Sequence, residues 1–299
     1  MSATVEPNTP RLSDVQGPSA YGGGTRRFFS LLWLIAVTDF KLTFLGTVLG
    51  YLWSLLRPLM LFAVLYIVFT KVFRFGDAVP NYPVFLLMNL MLFTFFIEAT
   101  DRAVESVLKQ ETIVRKMQFP RMVIPLSVVL TSFFNLCLNL IVVFGFVVAS
   151  GVEPRWTWLL FPLIVAGFVV LAAAVAMILA ALYPRYRDVR PIWAVLGTVL
   201  FYASPVLYPA SLVFDAGFQF QLLINPLAPL LEQANIWVID PDGPSPTVPE
   251  GAPPADGLSV IEAAGSILGW VGPGMVMIAL CAFGLWIFNR EAPRIAEEL

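Results

Sequence analysis

Glu98, Asp101 and Glu105 form the one acidic cluster, beside an apolar stretch, that could serve acid–base or metal chemistry at a membrane face. Their spacing argues for something plainer. Glu98 stands four residues before Arg102, and Glu105 four before Lys109, both in the order that favours helical ion pairs. That spacing predicts a helix running outward through the cluster. The chain has no histidine, which removes the commonest general base and the commonest metal ligand together. Cys137 and Cys281 are the only cysteines; each lies in an apolar stretch, and they suggest neither a metal site nor a disulfide framework. No G-x-x-x-x-G-K-[ST] loop occurs, so the chain cannot bind and cleave ATP in the P-loop manner.

The cations are more informative. Residues 102–120 read RAVESVLKQETIVRKMQFP, placing Arg102, Lys109, Arg115 and Lys116 around Glu105 and Glu111. Residues 183–191 read YPRYRDVRP, with Arg185, Arg187 and Arg190 beside Tyr186 and Asp188 and between two prolines. Such segments hold lipid phosphates or the carboxylates of a partner, or serve only as solvated loops that fix topology. Arg57 is different, because it sits inside an apolar run next to Pro58. An arginine there either snorkels to headgroups or binds an anionic group of a substrate. Tyr51, Trp53, Tyr66, Trp193, Phe201, Tyr202 and Tyr208 supply aromatic faces that stack on sugar rings or mark a membrane interface.

The elements that must position these residues follow from composition. Of 299 residues, 59% are hydrophobic and 13% charged, with a mean hydropathy of +0.82. A soluble domain uses about 45–50% apolar and about 25% charged residues, so this surface suits lipid. Six stretches are long and apolar enough to predict membrane-spanning helices, at roughly 50–73, 83–101, 122–149, 158–182, 192–209 and 266–288. The fifth is short and carries Pro205 and Pro209.

Charge alternates across these spans. Lys71, Arg74 and Arg155 fall in one set of loops, whereas the alternate set holds fourteen Lys and Arg; none occurs from 191 to 289. The positive-inside rule therefore predicts both termini in the cytoplasm. Residues 26–45, apolar but interrupted by Thr38, Asp39, Lys41 and Thr43, predict a helix lying on the cytoplasmic leaflet, anchored by Trp33 and the Arg26-Arg27 pair. Residues 1–25 read as a flexible cytoplasmic tail. After Pro209 the chain is half-apolar, too broken to span, and suits a re-entrant segment on the outer side before the Pro-rich loop at 239–257. The expected fold is thus an all-α membrane protein with six spans.

The order of motifs is also familiar. FKLTFLGTVLGYLWSLLRPLM (40–60), KQETIVRKMQFPRMVIPLS (109–127), YPRYRDVRP (183–191), SPVLYP (204–209) and INPLAP (224–229) together resemble the ABC-2 type permeases that export polysaccharides, the membrane subunits of O-antigen and teichoic-acid exporters. The bias of fourteen Arg over four Lys suggests a GC-rich genome, where the resemblance extends to mycobacterial exporters of lipid-linked galactan.

The resemblance implies a transport subunit, not an enzyme, in a bacterial inner membrane. It implies a homodimer paired with two copies of a separate ABC ATPase subunit. ATP and Mg would sit on that partner; no cofactor is expected on this chain and no nucleic acid among its partners. In such permeases the loops matching Arg102, Lys109, Glu111, Arg115, Lys116 and Arg185, Tyr186, Arg187, Asp188 couple to the ATPase. The segment matching 26–45 is a gate, residues 46–299 form the transmembrane domain, and the stretch matching 210–265 is re-entrant. Arg26, Arg27 and Arg57 become candidate contacts for a polyprenyl pyrophosphate, and Tyr51, Trp53, Tyr66, Trp193, Phe201 and Tyr202 candidates to line the glycan path. The other readings are a drug or lipid permease of the same fold, and a secondary transporter, which would need an ionisable relay for which the spans offer only Arg57.

Overall fold

The computed structural model describes residues 25–44, 50–72, 81–110, 120–210, 224–239 and 268–298, and among them there is helix and turn but no strand. The helices are α1 (Thr25–Phe44), α2 (Gly50–Ile67, followed by a π turn over Val68–Val72), α3 (Tyr82–Val104), a single turn α4 (Ser106–Lys109), α5 (Val123–Ala149), α6 (Phe161–Leu182, preceded by a 3-10 turn at Trp156–Leu160), α7 (Val189–Ala203), α8 (Leu227–Val238) and α9 (Leu268–Glu298). Among the described residues five helices are long and apolar enough to cross a bilayer: those spanning Leu52–Val72, Tyr82–Val104, Val123–Ala149, Trp156–Leu182 and Val271–Glu291.

The fifth expected span, at 192–209, is where sequence and structure differ. α7 covers only 15 residues and ends at Ala203. The cause is local. Pro205 crowds the residue before it out of the helical region, and Ser204 is accordingly extended at φ −100, ψ 150. Turns continue to residue 210.

Other boundaries have equally local causes. α3 starts on Asn81, which takes a left-handed conformation (φ 52), a region asparagine tolerates, and Pro83 then sits in the first turn where its missing N–H costs nothing. α5 ends in a Schellman turn: Gly151 has φ +84, Val152 N–H donates to Val147 O and Gly151 N–H to Val148 O. α3 does not run on through the acidic cluster as the spacing predicts. It stops at Val104, and Glu105 separates it from α4.

α3, α5 and α6 form the centre, with the side chains of Leu86, Met88, Leu92, Leu136, Phe168 and Leu171 fully enclosed. Small residues let backbones approach. A Cβ on Gly284 of α9 would lie 2.8 Å from the carbonyl oxygen of Ala174 on α6, and one on Gly167 of α6 would lie 2.9 Å from Leu230 of α8. α1 lies against α5, where Trp33 and Phe40 meet Phe134 edge-on and the Thr131 hydroxyl donates to Ala36 O.

Helix directions alternate, so the residues 102–110, 120–122 and 183–190 gather at one end, hereafter the basic end. At the other end a polar seam runs through the apolar interior. Asn235 donates to Asn89 Oδ1, Asn89 donates to Pro205 O, Tyr82 donates to Leu207 O, and Asn225 donates to Ser204 Oγ. In a bilayer the broken backbone after α7 needs such partners, because no water satisfies it. Trp158 Nε1 and the Thr157 hydroxyl likewise donate to carbonyls at the end of α8. α8 is buried along most of its length.

Candidate transport cleft and docking end

α2 touches the bundle along one stripe, with Leu59, Phe62, Leu65, Tyr66 and Phe69 packed on the core, a spacing of three and four that puts them on one helix face. The opposite face, with Trp53, Arg57, Leu61 and Val64, is exposed. α7 leans on α3 in a similar way: Trp193 meets Phe96 edge-on, Phe201 meets Phe93 at 5.2 Å, and Gly197 admits Ile97 closely. Between α2, α3 and α7 opens a cleft of about 800 Å³, with Asn135 of α5 at its back.

Several residues singled out from sequence converge there. Trp53 and Arg57 come from α2, Arg102 from α3, and Trp193, Phe201 and Tyr202 from α7. Others do not. Tyr66 packs on the core side of α2, stacked on Phe62 with ring centres 5.8 Å apart. Arg26 and Arg27 are exposed on the first turns of α1 and are not part of the cleft lining. The Tyr51 side chain, Glu111, Arg115 and Lys116 lie outside the described residues.

The cleft also collects polar groups that sequence patterns did not assign to it. Glu98 Oε1 pairs with Arg102 Nη1 at 3.3 Å, and its Oε2 accepts from Asn135 Nδ2 at 3.3 Å. Asp101 lines the same wall. Among the described residues Trp193 Nε1 and Asn135 Oδ1 are buried without a hydrogen-bond partner. Aromatic faces, one exposed guanidinium and a few hydrogen-bonding groups in a concave wall suit a ligand that is part apolar, part hydroxylated and part anionic. The signal for Asn135 and Asn89 was present in the sequence, since a polar amide inside an apolar span needs a reason.

At the basic end the two loops meet. Arg185 lies over the ring of Tyr186 at 5.4 Å, and Arg187 over Tyr183 at 5.3 Å. Arg185, Tyr186, Arg187 and Asp188 are all exposed. Among the described residues Asp188 makes no ion pair with the arginines around it; Arg190 turns away to pair with Glu105. Glu105 also pairs with Lys109 at 3.0 Å and accepts from the Tyr183 hydroxyl at 3.4 Å. The hydrogen bond from Lys109, against partial burial and aided by the charges of Lys109 and Arg190, holds the Glu105 carboxyl below the usual range. Arg121, by contrast, is buried with Nη1 unpartnered among the described residues, and burial lowers its pKa. Asp39 of α1 is raised by burial and opposed by the charge of Arg102. Among the described residues no three Cys, Asp or Glu side chains converge as a metal site would require.

Comparison with known proteins adds a family to this geometry. Residues 30–236 match the ABC-2 type transporter family. The O-antigen export system permease protein RfbA of Myxococcus xanthus is 31% identical over 206 residues, which cover 69% of this chain and 78% of that protein. The protein of the same name from Klebsiella pneumoniae is 33% identical over 205 residues, or 68% of this chain and 78% of the relative.

Proposed function

The chain belongs to the ABC-2 type transporter family, a multi-pass inner-membrane protein, and from that premise we propose that it is the membrane-spanning subunit of an ATP-driven exporter for a polyprenyl-pyrophosphate-linked polysaccharide. One observation carries the reading: the cleft between α2, α3 and α7 joins Arg57 to the faces of Trp53, Trp193, Phe201 and Tyr202. Stacking on a ring face suits a sugar whatever its linkage, and a guanidinium suits a phosphate. The relatives, named as O-antigen export permeases, support the cargo class.

The basic end faces the cytoplasm in this reading, with both termini on that side, in keeping with the charge alternation. Its loops, with Arg102, Lys109, Glu111, Arg115 and Lys116 on one and Arg185, Tyr186, Arg187 and Asp188 on the other, dock a separate ABC ATPase. That subunit holds ATP and Mg; this chain binds no cofactor. Two copies of the chain pair with two ATPases, and the exposed apolar faces of α2 and α7 fit the need for a second copy. α7 and the turns after it make the fifth of six crossings, α1 lies along the cytoplasmic leaflet as a gate bearing Arg26 and Arg27, and the region of α8 is re-entrant from the outer side.

The test is reconstitution. The chain is coexpressed with an ABC ATPase encoded beside it, purified, and placed in inverted vesicles with a polyprenyl-pyrophosphate-linked glycan. The expected result is copurification of the two subunits and ATP-dependent passage of the glycan into the lumen. Passage of unglycosylated lipid alone would reassign the cargo, and ATP hydrolysis by the chain without a companion would overturn the reading.

A further inference from the structure

α7 is one wall of the cleft, and it is held in unlike ways at its two ends. At the outer end the fastening is buried: Asn89 donates to Pro205 O, Tyr82 to Leu207 O, and Asn225 to Ser204 Oγ. Breaking such bonds inside a bilayer leaves polar groups with no water to satisfy them. Along its middle α7 meets α3 through apolar contacts around Gly197, which offer no directional bond. At the basic end, among the described residues, one ion pair fastens it, Arg190 to Glu105, with the Arg190 side chain 55% exposed and that of Glu105 17%. A pair whose cation stands in solvent contributes little to stability, and that cation exchanges partners readily.

Glu105 is also where the two loops converge. Through Lys109 it holds the loop after α3, through Tyr183 it holds the end of α6, and through Arg190 it holds the first turn of α7. One carboxylate thus connects both candidate ATPase-docking loops to the cleft wall.

We propose that Glu105 is a positioning residue for transport: its pairing with Arg190 latches the base of α7 to α3, and movement of the docking loops releases that latch while the outer end of α7 stays fixed. The inference rests on the exporter reading above, in which the ATPase docks at these loops. Arg190 released from Glu105 lets α7 swing about its buried outer fastening and changes the width of the cleft between Trp193 and Trp53. Lys109 remains beside the carboxylate after release, so Glu105 is not left as an uncompensated charge.

The experiment uses the full complex with its ATPase in vesicles, and reads glycan moved per ATP hydrolysed. For E105Q and for R190Q the expected result is a fall in that ratio of about tenfold, with the ATPase still copurifying and hydrolysing. R190K, which keeps a cation opposite the Glu105 carboxylate, holds the ratio to within about threefold of the parent. A second measurement does not depend on these variants. In a C137A/C281A background, E105C with R190C is bridged by a short bifunctional thiol reagent, and export is expected to stop. An unchanged ratio in E105Q, an R190K variant no better than R190Q, or normal export by the bridged protein would each overturn the latch. If the parent complex neither assembles nor moves glycan, the exporter reading itself fails, and the latch with it.

Discussion

α2 and α3 are both apolar enough to cross a membrane, yet their surroundings are opposite. In the most apolar stretch of α3, 78% of the residues are buried inside the protein; in that of α2 the share is 6%. Hydropathy measures the cost of meeting water, so it marks both as spans and cannot say which faces protein. α3 uses its circumference for packing on α5, α6 and α7, whereas α2 packs along one stripe and turns Trp53 and Arg57 outward. The lesson is a division of labour. α3 is chiefly scaffold, although Glu98, Asp101 and Arg102 near its end line the cleft, and α2 with α7 supplies the exposed faces beside it.

That contrast can be broken or sharpened by substitution. The largest effect is expected on the scaffold side at Gly284, where any side chain meets the Ala174 carbonyl oxygen of a packed helix. Gly284→Val should cost about 1–3 kcal/mol, seen as a lower unfolding temperature in detergent and poor accumulation. Asn89→Leu should cost about 2 kcal/mol in the same measurement, since it leaves Asn235 and Pro205 O without their partner. On the cleft side, Arg57→Gln should leave the unfolding temperature in place. It should weaken binding of a polyprenyl-pyrophosphate-linked sugar about tenfold, read from Trp53 fluorescence, with Arg57→Lys recovering part of the loss. Met60 is 55% exposed on the outer face of α2, so Met60→Ala should change stability by less than about 0.5 kcal/mol. A large loss at Met60 or none at Asn89 would erase the distinction between the two helices.

The smallest effect expected is that of pH on the latch. A carboxyl whose folded value lies below its ordinary one contributes stability that is present above the ordinary value and is lost as pH falls through the folded value. Glu105 is such a group, with an ordinary value of 4.5. Glycan moved per ATP should therefore be flat from neutral pH down to that value as far as Glu105 is concerned. A decline above it would mean that the carboxylate is not held by Lys109 and Arg190.

What sequence could show depended on range. Spans, Pro-driven helix ends and the i,i+4 pairs Glu98–Arg102 and Glu105–Lys109 are local, and both pairs form as ion pairs. Pro205 is visible in the fifth stretch, which the sequence predicts as a span, and the break before it leaves a helix of 15 residues. The second partners of Glu105 lie 78 and 85 residues away in the chain, and nothing in their spacing reveals them. Tyr66 shows the same limit from the other side: it shares α2 with Trp53 but faces the core, since a helix turns residues thirteen apart to different sides unless packing says otherwise.

By itself, then, the amino-acid order determined that lipid is the solvent and where the five helices long enough to cross it lie, because those depend on composition within a window of one helix. The tertiary structure decided which faces are used up in packing, that Arg57 shares a cleft with Trp193, Phe201 and Tyr202, and that Glu105 reaches Arg190. Those are meetings between distant segments. They are set by how helices fit against one another, a property of shapes in three dimensions that no local pattern encodes.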